Sequence, residues 1–204
     1  MVKANEELNF TEDYVLEDEY VKLIPLQESH CQPLSLISND PEIWKYFFER
    51  GDDFDSLWIY FHTAMENRKL GREYPFVVYD KIKNEYAGTT RFYEYSPILN
   101  TIKLGHTWYG KAFRGTVLNK RCKYLLFQFA FEELGIERIG FGSYIDNVIS
   151  IAAMKSVGCK KEGVLRNMFP SLDGQGRSDN LLMGLLKHEW HENVKAKLAL
   201  KINQ

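Results

Sequence analysis

The segment most able to carry chemistry runs from Trp108 to Asn119 and reads WYGKAFRGTVLN. A strand-like run ends in this segment and a strongly periodic helix begins at its end, so a short loop joins the two. The first N–H groups of a helix have no partner within the helix, and together with the helix dipole they favour an anion. Gly115 permits a close backbone approach. Four basic residues add positive charge to this part of a slightly acidic chain: Arg114, Lys120, Arg121 and Lys123.

These residues predict a phosphate-binding helix start. An ordinary helix start with a solvated basic first turn is the alternative that spacing alone leaves open. The loop has neither the Gly-Lys-Ser/Thr of a Walker loop nor the G-x-G-x-x-G of a dinucleotide site. A nucleotide-binding protein is a poorer hypothesis, because no Ser/Thr or Asp is placed to hold Mg²⁺ for phosphoryl transfer.

The elements around this segment predict an α/β fold with a mixed sheet. Alternating runs predict strands at 20–26, 74–80, 85–95, 100–109, 138–145, 159–165 and 181–187, with a long loop before the last. Helical spacing predicts helices at 29–38, 56–70, 118–134 and 148–157. A short helix is predicted to begin at 41, and a last helix is predicted to carry a stripe of apolar residues near the C-terminus. We expect Asp40 to cap the second helix, with Pro41 at its first position, and Asp55 to cap the third. Strands adjacent in sequence should pair antiparallel, whereas the helix at 118–134 should cross over to a parallel strand at 138–145.

Composition fits one globular domain. The 204 residues have a net charge of −2, and 45% are apolar, which excludes a collagen, a disordered tail and a disulfide-rich mini-domain. The near-neutral charge gives no reason to expect a nucleic-acid partner, and no apolar run is long enough to span a membrane. Three widely spaced cysteines and an acidic N-terminus without an apolar signal segment indicate the cytoplasm. We divide the chain into a polar lead-in at 1–15, a domain at 16–190 and a C-terminal helical extension at 191–204.

Four strings, in order along the chain, resemble motifs of the GNAT superfamily of N-acetyltransferases, and most closely its RimJ/RimL-like branch. The resemblance covers about residues 17–190. The strings are GHTWY at 105–109 followed by FRGT at 113–116, NVIS at 147–150, GCKKEGVLR at 158–166, and DG at 173–174 with Arg177 and Asp179. Each string is short, and their common order makes the set specific.

The resemblance implies a GNAT-like acyl-CoA N-acyltransferase fold, in which two central parallel strands of a mixed sheet splay apart. In the family, acetyl-CoA lies between those strands, with its pantetheine arm along one strand and its pyrophosphate on the amides that open the next helix. No metal takes part. Carried onto this chain, the cofactor-binding residues are Trp108, Tyr109, Phe113, Arg114, Gly115, Thr116, Val117, Leu118, Asn119, Asn147 and Ser150.

The function implied is direct transfer of an acetyl group from acetyl-CoA to a primary amine, either a protein or peptide N-terminal amine or a small-molecule amine. The departing thiolate is helped by a hydroxyl donor. Met154 stands where some relatives have a tyrosine, so Ser150 is the remaining candidate, with a purely helical role as the alternative. Glu94 and His106 are the candidates for the catalytic base, although the parity of His106 along its strand favours a core histidine.

Some residues depart from the family pattern. Ala112 and Val117 stand at the two ends of the family's Q/R-x-x-G-x-G/A loop, and a valine both crowds the backbone and disfavours a positive φ. With Met154 and no evident base, these departures support the rival hypothesis, a non-catalytic acyl-CoA-binding or protein-interaction domain on the same fold. The C-terminal stripe of Trp190, Val194, Leu198 and Ile202 either packs on its own domain or seals a homodimer interface.

Overall fold

The computed structural model of the protein describes residues 7–203, in which eight strands form one open sheet. The strands are β1 (Leu16–Glu17), β2 (Val21–Pro25), β3 (Glu73–Asp80), β4 (Glu85–Ser96), β5 (Thr101–Tyr109), β6 (Arg138–Tyr144), β7 (Lys160–Pro170) and β8 (Arg177–Leu186). Their order across the sheet is β1-β2-β3-β4-β5-β6-β8-β7. Every neighbouring pair is antiparallel except β5 and β6, which are parallel. The predicted mixed sheet is therefore confirmed, including its one parallel pair.

Helices cover both faces of the sheet. They are α1 (Cys31–Ser38), α2 (Pro41–Trp44), α3 (Phe54–Lys69), α4 (Leu118–Gln128), α5 (Val148–Ser156), α6 (Lys187–Glu189) and α7 (Lys195–Ile202). Successive residues of a strand point to opposite faces. Val77 of β3 packs in a core with α1, α2 and α3, whereas Val78 packs in a second core with α4, α5 and α7. The crossover helix α4 and the following helix α5 thus lie on the same face of the sheet.

The last two strands are longer than predicted. The alternation of the sequence fades after residue 165, but β7 continues to Pro170 and β8 begins at Arg177, so a short hairpin replaces the predicted long loop. The register of β7 against β8 shifts twice, and Asn167 within β7 has a φ of 54°. These irregularities break the two-residue period, which is why the pattern hides the outer half of the hairpin.

One of the two predicted helix caps is correct. Asp40 accepts a hydrogen bond from the amide of Glu42 and Pro41 is the first residue of α2, as predicted. The cap of α3 is Asp53 rather than Asp55, because Asp53 accepts from the amide of Ser56 at 2.8 Å. Asp55 lies within the first turn, where its charge is favourable to the helix dipole.

Both ends of the described chain pack on the domain. Leu8 is buried in the core of the α4 face, and the hydroxyl of Tyr74 donates to the backbone oxygen of Glu12. The C-terminal stripe packs on its own domain, since its residues are all buried in that same core: Trp190, Val194, Leu198 and Ile202. Residues 1–6 of the predicted lead-in lie outside the described residues. Between residues 7 and 203 no helix is both long and apolar enough to cross a membrane.

Candidate active site

The parallel strands β5 and β6 separate after a short contact. They pair only where Thr101, Ile102 and Lys103 face residues 138–140. Beyond that point β5 continues to Tyr109 and β6 to Tyr144 without pairing to each other. We call the space between residues 104–109 of β5 and 141–144 of β6 the gap. Backbone groups along the gap edge of β5 have no strand partner there, so an extended ligand can pair with them.

A bulge shapes the same part of β5. The register against β4 shifts between Thr89 and Arg91, and His106 lies in the left-handed region with a φ of 48°. Bulges bend a strand and re-aim its side chains, and they occur next to functional sites. The bulge therefore lies in the part of β5 that borders the gap.

Unbonded amides mark the start of α4. Within the described chain, the amides of residues 115, 116, 117, 119 and 120 donate no hydrogen bond to protein, whereas the amide of Leu118 donates to the hydroxyl of Thr116 at 3.3 Å. Gly115 has a φ of 72°, whereas Val117 has a φ of −70°. The positive φ falls on the glycine, so the expected conformational cost at Val117 does not arise. We call these five N–H groups the amide cluster; with the helix dipole they form a site for an anion.

The predicted cofactor-binding residues of this loop divide into two groups. Gly115, Thr116 and Val117 are exposed. The side chains of Tyr109, Phe113 and Leu118 are buried in the core of the α4 face, so only their backbone groups are available to a ligand. Asn119 is half-buried and accepts a hydrogen bond from the hydroxyl of Tyr109. The side chain of Trp108 is buried on the opposite face, among the residues of α2 and α3.

Protein contacts hold two loop side chains in place. Arg114 pairs with Asp40 at 3.0 Å and donates to the backbone oxygen of Tyr109 at 2.8 Å. The hydroxyl of Thr116 donates to the backbone oxygen of Phe113 at 2.8 Å. The loop is therefore fixed by its own side chains while its amides remain free.

The N-x-x-S string opens α5 beside the gap. Asn147 accepts a hydrogen bond from the amide of Ser150 at 3.1 Å and so caps the helix. The hydroxyl of Ser150 is half-buried and makes no hydrogen bond within the described chain. It does not serve the helix, and it remains free to meet a ligand. Met154 is buried in the core, so no proton donor stands at the tyrosine position of some relatives.

The two candidate bases lie in different surroundings. Glu94 is exposed and its carboxylate pairs with Lys103 at 2.6 Å. His106 packs between the rings of Tyr93 and Phe47, with ring centroids 5.3 and 6.2 Å away. Burial, and then the charge of Arg91, lowers the pKa of His106 to about 3. The imidazole is therefore neutral at pH 7 and a weak proton acceptor.

Comparison with known proteins gives the family. A family model described as the acetyltransferase (GNAT) domain matches residues 21–160. The chain belongs to the GNAT acetyltransferase family. No curated protein matches the sequence.

Solved GNAT structures share the fold of this acetyltransferase. A GCN5-related N-acetyltransferase from Brucella melitensis superposes with a TM-score of 0.85 at 21% identity, covering 94% of this chain and 86% of the other. RimJ of Mycobacterium smegmatis in complex with CoA-disulfide gives 0.76 at 18% identity, with 93% of each chain covered. A GNAT-family acetyltransferase from Bacillus anthracis gives 0.73 at 16% identity, covering 86% and 100%. At these identities the likeness establishes the fold.

The face of the sheet covered by α1, α2 and α3 holds an aromatic core with unpaired polar atoms. Trp44 packs against Trp108 and Tyr60, with ring centroids 5.6 and 5.2 Å away. The indole N–H of Trp108 and the hydroxyl of Thr89, which faces it on β4, are buried and have no hydrogen-bond partner within the described chain. Buried polar atoms are normally paired, so these two mark a wall that a polar ligand or water completes.

Lys123, predicted from the sequence only as local positive charge, occupies a buried position that the prediction did not include. Lys123 lies on the inner side of α4 and is 6% exposed. Its Nζ donates to the hydroxyl of Thr107 at 3.0 Å and to that of Thr90 at 3.4 Å. Burial lowers the pKa of Lys123 to about 8. The spacing of the helix could have indicated this burial. Lys123 precedes Leu126 and Phe127 by three and four residues, so it falls on the apolar face of the helix.

Proposed function

We propose that the protein transfers an acetyl group from acetyl-CoA directly to a primary amine. The observation that carries the proposal is the juxtaposition of the gap with the amide cluster. The gap is the opening that an extended pantetheine arm needs, and the amide cluster is a site that would bind a diphosphate. A matching pair of sites on adjacent elements fits a CoA thioester better than it fits a free nucleotide.

The proposed binding residues follow from this arrangement. The amide cluster would hold the diphosphate, and the open edge of β5 near Trp108 would pair with the amides of the pantetheine arm. Asn147 and Ser150, at the start of α5, would meet the thioester end. Exposure of Gly115 and Thr116 leaves the amides accessible.

The acceptor would approach from the face of α1, α2 and α3. That face carries the unpaired indole N–H of Trp108 and the unpaired hydroxyl of Thr89. An amine must be neutral to attack, because an ammonium has no lone pair. His106 has a low pKa and Glu94 is paired with Lys103, so we favour proton removal by a water relay over either side chain.

We propose that the acceptor is a protein or peptide N-terminal amine or a small-molecule amine. The chain shares its fold with RimJ of M. smegmatis, whose structure holds CoA-disulfide, and both acceptor classes stay open. A cytoplasmic setting fits the three cysteines, which are all free and buried.

Two measurements test the proposal. Calorimetry reports CoA binding, and thiol release from acetyl-CoA with a panel of amines reports transfer. Gly115→Glu places bulk and negative charge at the amide cluster and should abolish CoA binding. Gly174→Glu is the matched control, because Gly174 has nearly the same φ, 74°, and equally open space around it, in the β7–β8 hairpin. No CoA binding by the native protein, or equal binding by both variants, would contradict the site.

The rival function is a non-catalytic CoA-binding domain. The observation that favours it is the lack of a well-placed base, since Glu94 is paired with Lys103 and burial lowers the pKa of His106 to about 3. The same assays distinguish this rival from an active acetyltransferase. The rival predicts that CoA binds, that no amine in the panel turns over, and that Ser150→Ala changes neither CoA binding nor thiol release. Turnover of any amine in the panel would exclude it.

A further inference from the structure

Lys123 is a buried lysine, and no carboxylate among residues 7–203 pairs with it. Its two hydrogen bonds go to the hydroxyls of Thr107 and Thr90, which lie 2.7 Å apart. No ion pair of Lys123 occurs within the described chain, and its third N–H has no acceptor there. A buried ammonium without a counter-charge is costly, so a fold that retains one usually uses it.

The ammonium of Lys123 lies at the base of the gap. Thr107 belongs to the part of β5 that has separated from β6. Cys159, whose amide donates to the backbone oxygen of Met154 at the end of α5, lies within electrostatic range of Lys123. The amine is therefore located between the open stretch of β5 and the end of α5 near Met154, one helical turn after Ser150. In the proposed function this is where the thioester end of acetyl-CoA arrives.

Neighbouring titratable groups leave Lys123 as the available acid. The titratable groups that interact with it are the thiols of Cys122, on its own helix, and Cys159. Burial raises the pKa of each thiol to about 12, so both are neutral near pH 7. The facing groups on β4 and β5 are the hydroxyls of Thr90 and Thr107, which carry no charge. Lys123 thus holds the one proton in this group that moves easily near neutral pH.

We propose that Lys123 donates a proton to the sulfur that leaves acetyl-CoA during transfer. The inference rests on the proposed function. The acceptor nitrogen forms a bond to the thioester carbonyl carbon, the carbon–sulfur bond breaks, and its electron pair goes to sulfur. Sulfur takes a proton from the Lys123 ammonium and leaves as CoA thiol. The acceptor nitrogen releases its extra proton to water, and the neutral Lys123 amine takes a proton from water to complete the cycle.

Lys123 accounts for a role that the other residues fill poorly. Met154 has no proton to donate, and the hydroxyl of Ser150 is a weak acid without a charge. An ammonium supplies both a proton and the positive charge that stabilises a developing thiolate. Thr107 and Thr90 act as positioning residues, since their hydroxyls fix the Nζ through two of its three N–H groups.

The first test reads the thiol of bound CoA and needs no turnover. The ultraviolet absorbance of the thiolate is followed from pH 6 to 10 for the native protein, Lys123→Met and Lys197→Met, each saturated with CoA. The complex with desulfo-CoA, which lacks the thiol, is the blank and cancels the protein's own tyrosines. We expect the bound thiol to be at least about tenfold more acidic in the native protein than in Lys123→Met. Lys197 is exposed on α7 and controls for the loss of a lysine, so Lys197→Met should match the native protein.

The second test is kinetic. With any amine that turns over, Lys123→Met should lower kcat at least about 100-fold, the usual range for a lost general acid, with the KM for acetyl-CoA nearly unchanged. The fall of kcat above about pH 8 in the native profile should disappear in the variant. Thr107→Val, which keeps the charge but loosens its position, should give an intermediate kcat.

The outcomes separate this inference from the proposed function. Failure of the native protein to bind CoA overturns both. Binding of CoA by the native protein and by Lys123→Met with the same thiol acidity overturns the role of Lys123 and leaves the function intact. An unchanged kcat in Lys123→Met, or a loss confined to KM, also overturns it, because a purely structural lysine would give that result.

Discussion

Replacing Lys123 with methionine should make the protein more stable at neutral pH, although the residue is buried and hydrogen-bonded. Burial lowers its pKa from the ordinary 10.5 to about 8, and a shift of that size corresponds to about 3 kcal/mol against the folded state. Methionine has a similar length and carries no charge. The hydroxyls of Thr90 and Thr107 keep each other and the backbone oxygen of Gly105 as partners, so the lost hydrogen bonds cost only about 1 kcal/mol. The net gain is about 2 kcal/mol, or roughly 4–8 °C in Tm.

The pH dependence of the gain identifies its cause. The folded-state pKa lies below the unfolded-state value, so between about pH 8 and 10.5 the unfolded chain binds one more proton than the folded protein. The penalty is fully present below pH 8 and is lost as the pH rises to 10.5. Urea unfolding of the native protein and of Lys123→Met at pH 7, 8, 9 and 10 should show the gain shrinking over this window. Lys197→Met should show no such trend.

A loss of stability in Lys123→Met at pH 7 would refute this reasoning. A difference that stays constant between pH 8 and 10 would do the same, since it would show that the lysine titrates normally in the fold. The combination expected here, higher stability with lower activity, is the usual sign of a residue retained for function at a cost in folding energy.

Three further predictions concern the site. His106→Asn removes the imidazole and keeps a residue type that tolerates a positive φ. The pKa of His106 is about 3 in the folded protein and ordinarily 6.5, so the stability that the neutral imidazole confers is present above pH 6.5 and is lost as the pH falls toward 3. The urea midpoint should therefore fall less in the variant than in the native protein between pH 6.5 and 3. Val117→Gly should leave the CoA affinity measured by calorimetry within about twofold, because a φ of −70° holds no strain to release; a tenfold tightening would contradict this. Ser150→Ala should lower kcat by about tenfold with little change in the unfolding midpoint, because the amide of Ser150 keeps its bond to Asn147; a lower midpoint with normal kcat would instead indicate a helical role.

Local chemistry made much of this protein readable from its sequence. Strands and helices with regular periods were predicted close to their observed bounds, since side-chain spacing reports directly which face is buried. The helix start at Leu118 was predicted because a short strand–helix connection leaves amides unpaired whatever the rest of the fold does. The cap at Asp40 needed only two neighbouring residues. Asp53 was missed because three aspartates stand close together and only the helix geometry selects one of them.

The tertiary structure decided what depends on residues far apart in the sequence. The length of pairing between β5 and β6 sets the gap, and the bulge at His106 that borders the gap has residue types ordinary for a strand. The position of Lys123 depends on two threonines from different strands, 33 and 16 residues away, meeting beneath α4. A sequence pattern shows that a lysine falls on an apolar helix face, but only the assembled sheet shows that it ends at hydroxyls beside an opening. Burial then changes its pKa, and burial is a property of the whole fold rather than of any segment.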